Sequence, residues 1–199
     1  MLDACVLFRL DKCEALPRLK GLAPLHVAAS VHAELSKDGP RLRKLLTELR
    51  MTKHPVVPGS REWDELARIR GGLFSNQDLG EAESLAVVLV AAQKQRFLPL
   101  ATFDGGAART ANRLGVPVLD FLSLLAWMVA CGCMSFEEAD DLETLAAQRN
   151  GWKRPSSYRG SVEAHASELR QSTGAAIFDW KARVKGFQKR KGSTTRRKS

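Results

Sequence analysis

Between Asp78 and Asp120 the chain reads helix, strand, helix, strand, and few folds accept that order. Glu81 and Glu83 open a long apolar helix carrying Leu85, Ala86, Val88, Leu89 and Ala92. The run Phe97-Leu98-Pro99-Leu100-Ala101 then stops at Thr102-Phe103-Asp104 and a glycine pair. A second helical pattern (Ala107, Ala108, Ala111, Leu114) closes at Gly115, and Val116-Pro117-Val118-Leu119 forms another strand. Short apolar runs alternating with helical periods predict βαβ units and a parallel sheet. In such sheets function gathers beyond the carboxyl ends of the strands, where Asp104 falls.

Upstream, Met1 to Leu7 is a short apolar run with Asp3 set inside it, read as a strand that stops at Asp3 or passes through it into a loop. Residues 11–21 suggest a short helix ended by Gly21, and Leu25-His26-Val27-Ala28 a strand. A helix follows from Ser30, an N-cap type, through Val31, Glu34 and Leu35. Gly39-Pro40 interrupts it before an amphipathic helix over 41–50. Two prolines confine residues 54–58 to an edge strand. Ser60 starts a helix to about Ile69. Downstream come an apolar helix over 121–129 and, from the Ser135-x-x-Glu138 capping-box pattern, a helix over 136–148.

Charge divides the chain unevenly. Residues 150–199 hold 13 Lys and Arg against three acids, a net +10, while the remainder holds 18 against 19. Asn150-Gly151 and Pro155-Ser156-Ser157 mark the boundary. The expected organisation is a domain over 1–149, a basic and partly helical extension over 150–187, and a disordered basic tail over 188–199. Cations clustered in this way call for a polyanion. Nucleic-acid contacts are accordingly expected at Arg109 and at Lys181, Arg183, Lys185, Lys189, Arg190, Lys191, Arg196, Arg197 and Lys198. The aromatics Trp152, Tyr158, Phe178, Trp180 and Phe187 suit single-stranded nucleic acid as well as they suit helix docking. Cys5, Cys13, Cys131 and Cys133 lack zinc-site spacing and read as small apolar filler in a reducing compartment. Neither a signal peptide nor a membrane span is visible, so a cytoplasmic protein is expected.

Four carboxylate positions stand beside apolar runs, at strand ends or in first helical turns: Asp3, Glu34, Glu81 or Glu83, and Asp104. Glu81 and Glu83 lie about 200° apart on a helix, so only one can point inward. Acids in a first turn also favour the helix dipole, and Asp104 could serve as an N-cap. Taken together, however, they form the set that a Mg²⁺- or Mn²⁺-dependent phosphodiesterase requires: hard oxygen donors, one from each βα junction.

Leu2-Asp3-Ala4-Cys5-Val6-Leu7, Val31-His32-Ala33-Glu34-Leu35, Asp78 to Glu83, and Thr102-Phe103-Asp104 with Ala108-Arg109 and Leu114 to Val118 resemble the PIN-domain family. The resemblance spans about residues 1–130 and is nearest to the PIN-like toxins of bacterial toxin–antitoxin pairs. It implies a three-layer α/β/α sandwich around a central, mostly parallel sheet. It also implies a ribonuclease specific for single-stranded RNA with a Mg²⁺ or Mn²⁺ site. By that resemblance Asp3, Glu34, Glu81 and Asp104 are the metal-binding and catalytic acids, Glu83 is the reserve for the third, and Thr102 lines the site. An antitoxin and a second copy of the chain are the protein partners the class admits. Two rival expectations stand beside it: a nucleic-acid-binding or assembly protein without turnover, and a structure-specific DNA nuclease.

Overall fold

The computed structural model describes residues 1–22, 24–71, 78–96 and 98–151, together with Val162 and Ala166. It is a mixed α/β chain, mostly helical, with short parallel strands. The order is α1 (Ala4–Lys12), a 3-10 turn (Leu16–Gly21), β1 (His26–Ala28), α2 (Ala29–Lys37), α3 (Pro40–Glu48), β2 (Thr52–His54), α4 (Arg61–Gly71), α5 (Leu79–Gln93), β3 (Leu100–Ala101), α6 (Gly105–Arg113), β4 (Val118–Leu119), α7 (Phe121–Ala130) and α8 (Phe136–Asn150). The nucleic-acid contacts expected from Lys181 to Lys198 lie outside the described residues.

The expected broad central sheet is reduced among the described residues to two parallel pairs. β1 pairs β2 with His26 opposite Thr52, and β3 pairs β4 with Leu100 opposite Val118. Leu2 forms single parallel bridges to Val27 on one side and Ala101 on the other. Its N–H donates to the His26 carbonyl at 2.8 Å, while the Ala101 N–H donates to the Met1 carbonyl at 2.8 Å and the Asp3 N–H to the Ala101 carbonyl at 3.1 Å. One peptide segment thus satisfies backbone groups of both pairs.

The first apolar run is therefore not an extended strand. Asp3 is still extended (φ −87°, ψ 159°) but caps α1 by accepting from the Ala4 N–H at 2.8 Å. Val6, Leu7 and Leu10 fall on one face of that helix and are fully buried. The helical spacing of these three residues outweighs the strand-like look of the run. β2 likewise ends at His54, where Pro55 has no N–H to continue a ladder. The capping box forms as expected: the Glu138 N–H donates to Ser135 Oγ, and the Ser135 N–H to the Glu138 carboxylate.

Two apolar clusters hold the helices. One joins α1, α2, α3, α7 and α8 with Val27, Ala101 and Leu119, and it also contains Val162 and Ala166. The other joins α4, α5 and α6 with Leu100 and Val116. Leu100 and Ala101 enter different clusters because adjacent strand residues point to opposite faces. Val162 and Ala166, four apart in sequence and fully buried, anchor the beginning of the basic extension in the first cluster. No described helix is long and apolar enough to cross a membrane.

Candidate functional site

Asp3 sits where the chain leaves its bridge beside Ala101 and enters α1. Only 4% of the residue is exposed. Its carboxylate accepts from the Ala4 N–H at 2.8 Å, from the Thr102 hydroxyl at 2.8 Å and from the Cys5 thiol at 3.2 Å. Burial raises its pKa above the ordinary carboxylate range, the three donors oppose that rise, and the charge of Asp78 adds to it. A buried acid held by three donors is already positioned, and a cation at its remaining Oδ1 lone pair would relieve the unfavourable charge.

Thr102 follows β3 and is 1% exposed. Its hydroxyl donates to Asp3 Oδ2 and accepts from the Asp104 N–H at 3.2 Å, so it links the first and last of the expected acids through one atom. Asp104 caps α6 by accepting from the Ala107 N–H at 2.8 Å, and its residue remains exposed. Cys5 completes this corner: its sulfur accepts from the Phe103 N–H at 3.2 Å and lies 3.4 Å from Thr102 Oγ1. Burial, then the neighbouring Asp3 charge, pushes the thiol up to about 11, which makes it a hydrogen-bonding group rather than a nucleophile. Cys5 is therefore a bonded corner residue and not apolar filler, and its partners Thr102 and Phe103 lie almost a hundred residues away.

Glu34 lies on α2, and its pKa is also raised, first by partial burial and then by the charges of Asp78, Asp3 and Asp38, with Lys37 opposing. Asp78 thus acts electrostatically on both Asp3 and Glu34. It was not among the expected ligands. Its carboxylate caps α5 by accepting from the Glu81 N–H at 2.8 Å, so it occupies the turn that the motif reading assigned to Glu81. The signal available in sequence was that an Asp standing before Leu-Gly-Glu is an N-cap at a loop–helix junction, which is also where a site residue would fall.

The reserve acid has another occupation. Glu83 is 9% exposed and accepts from both the hydroxyl and the N–H of Ser30 at the start of α2. This bond, not a cap, is what Ser30 supplies, since α2 begins at Ala29 with Ala28 in the N-cap position. Ser30→Ala should lower stability by about 1–2 kcal/mol in urea unfolding, because a buried carboxylate loses one of two donors. Unchanged stability would show that Glu83 finds another donor.

The first turns of α2 and α5 meet closely here. A Cβ placed on Gly80 would lie 2.9 Å from Val31 Cγ2, 3.6 Å from Asp78 Oδ1 and 3.9 Å from Ser30 Oγ. Glycine is required for this approach, which keeps Asp78 beside the Glu34 helix.

Among the described residues no ion pair involves Asp3, Glu34, Asp78 or Asp104. Likewise, no group of three or more His, Cys, Asp or Glu side chains among the described residues is placed to hold a metal ion. His26 and His54 pair with each other instead, Nδ1 to Nε2 at 2.8 Å across β1 and β2. An apolar cavity of about 350 Å³, bordered by Met1, Pro24, Pro99 and Trp127, includes none of the acids. No family model, curated protein or solved structure matches this chain. The site among the described residues is therefore Asp3 and Asp104 joined through Thr102 beyond β3, with Asp78 acting electrostatically on Asp3 and on the exposed Glu34.

Proposed function

We propose that the chain is a metal-dependent endoribonuclease that cuts single-stranded RNA, of the PIN-like, toxin type, on a three-layer α/β/α framework. The single observation that carries this reading is the buried Asp3 carboxylate, held by the Ala4 N–H, the Thr102 hydroxyl and the Cys5 thiol and joined through Thr102 to Asp104. The framework is supported by adjacent β3 residues feeding two separate helical clusters. The +10 extension supplies sequence-independent affinity for a polyanion.

The donor chemistry is that of a hard divalent cation, Mg²⁺ or Mn²⁺, since every acid offers oxygen, although the acids must draw closer together to share one ion. Asp3, Glu34 and Asp78 would hold the ion, with Asp104 at the rim. When bound, such an ion acidifies a water and offsets phosphodiester charge. The chain's own residues do the rest. Thr102, Cys5 and the Ala4 N–H fix the Asp3 carboxylate, so that its one free lone pair, on Oδ1, keeps one direction. Thr102 also holds the backbone of Asp104 in register with Asp3.

The test is cleavage of a single-stranded RNA by the full chain with Mn²⁺, set against Asp78→Asn and Glu81→Gln. Chelation should stop cleavage, Asp78→Asn should slow it at least about tenfold, and Glu81→Gln should leave it near the parent rate. The reverse ranking would return the third acid to Glu81. Turnover that survives chelation would end the metal reading, and cutting of single-stranded DNA at the same rate would remove the RNA assignment.

A further inference from the structure

We infer that Arg9 is a substrate-positioning residue of this site, an anchor for a backbone phosphate of a single-stranded polynucleotide; this rests on the nuclease reading above. Arg9 lies four residues after Cys5 on α1, so the two share a helix face. Cys5 bonds Asp3 and the Phe103 N–H, and Arg9 lies over the Phe103 ring with its guanidinium carbon 5.3 Å from the centroid. The ring is braced edge-on by Phe121, with centroids 5.2 Å apart and planes at 81°. Phe103 stands between Thr102 and Asp104, which places this stacked cation beside the acids.

No carboxylate pairs with Arg9 among the described residues. The ring contact holds the guanidinium over Phe103, no described residue accepts a hydrogen bond from it, and planar paired donors match a phosphate. Arg109 lies nearby along the chain: its Nη1 is 3.4 Å from where a Gly105 Cβ would be, so its guanidinium folds back over the first residue of α6. Arg9 on Phe103 and Arg109 on Gly105 therefore supply fixed cations on the two sides of Asp104 in sequence. A strand whose scissile phosphate lies at the acids would place a neighbouring phosphate on Arg9. The contact is with backbone, so the substrate class is single-stranded polynucleotide without base preference at that position.

The experiment uses the full chain and a short single-stranded RNA, at a salt concentration that screens the basic extension. Arg9→Ala, Arg9→Lys and Phe103→Leu are compared with the parent in Mn²⁺-dependent cleavage, and in equilibrium binding of the same RNA in EDTA. Arg9→Ala should raise KM and weaken EDTA binding about tenfold with kcat within about twofold, and Lys should restore only part because an ammonium lacks the planar fork. Phe103→Leu should resemble Arg9→Lys, with thermal melting confirming that each variant is folded. Unchanged KM and binding in Arg9→Ala, or full rescue by Lys, would reduce Arg9 to a cation at a helix C-terminus. If the parent cuts nothing, the nuclease reading fails alone, and the EDTA binding series still decides whether Arg9 holds phosphate.

Discussion

Asp3→Asn is expected to slow Mn²⁺-dependent RNA cleavage by roughly a thousandfold while leaving the protein as stable as the parent, or more so, at pH 7. Loss of a metal-bound carboxylate removes several kcal/mol of transition-state charge stabilisation, and each 1.36 kcal/mol is a factor of ten. The stability half follows from the sign of the pKa shift. Asp3 and Glu34 are both raised in the folded chain. A raised acid binds protons more tightly when folded, so its stabilising contribution is complete below the unfolded carboxylate pKa, roughly 4. That contribution disappears as pH rises through the folded value. At neutral pH the ionised, buried Asp3 is therefore a cost, which an amide of the same shape avoids. Melting followed from pH 4 to pH 8 should show the parent losing more stability than Asp3→Asn. Mn²⁺ should narrow the gap by raising the melting temperature of the parent only. A variant that melts much lower at pH 7 would make Asp3 a structural cap, and one that cuts normally would remove it from the site.

Gly80→Ala is expected to destabilise the chain by about 1–3 kcal/mol and to impair cleavage together with stability. In most helices the exchange would help, since alanine is the better helix former. Here the new methyl would meet Val31 Cγ2 at 2.9 Å. Val31 is fully buried and β-branched, which leaves it one favoured rotamer in a helix and no free space to enter. The first turns of α2 and α5 must then separate, at an overpacking cost of that order. Separation moves Asp78 from Asp3 and Glu34 and lengthens the Ser30 bonds to Glu83. Urea unfolding gives the energy, and a Val31→Ala, Gly80→Ala double variant should recover part of the activity. If Gly80→Ala instead stabilises, the helices tolerate a wider approach than their contact distance indicates.

Much of the helical order was legible because it depends on local chemistry. The Ser135 capping box, the continuous apolar run of α5 and the glycine after α6 announce themselves within a few residues. Asp3, Thr102 and Asp104 were also legible as positions at strand ends, and Thr102 does link the other two. What sequence could not show was set by contacts between distant residues. The run at Met1 to Leu7 is apolar enough for a strand, yet Leu2 alone finds ladder partners, and the cap at Asp3 sends the rest into α1. Asp78 was passed over because a capping acid and a site acid look alike until the charges on α2 and at Asp3 are placed beside it. Cys5 and Arg9 were undervalued for the same reason, since the Phe103 that engages both is recruited through β3.

The single-residue bridges at Leu2 also govern the order in which the chain can assemble. Its two partners are Val27 and Ala101, and the second is separated from it by 99 positions. On a ribosome the β1–β2 pair and the early helices can form as they emerge, whereas the join to β3 must wait until residue 101 is outside the exit tunnel. Closing so long a loop is entropically costly and is repaid by few hydrogen bonds, so this seam is expected to be a late step in folding. The same seam lies next to Asp3, so the Asp3–Thr102–Asp104 corner comes into existence only when this long-range contact is made. A nascent fragment that ends before residue 101 would carry its early helices without this corner.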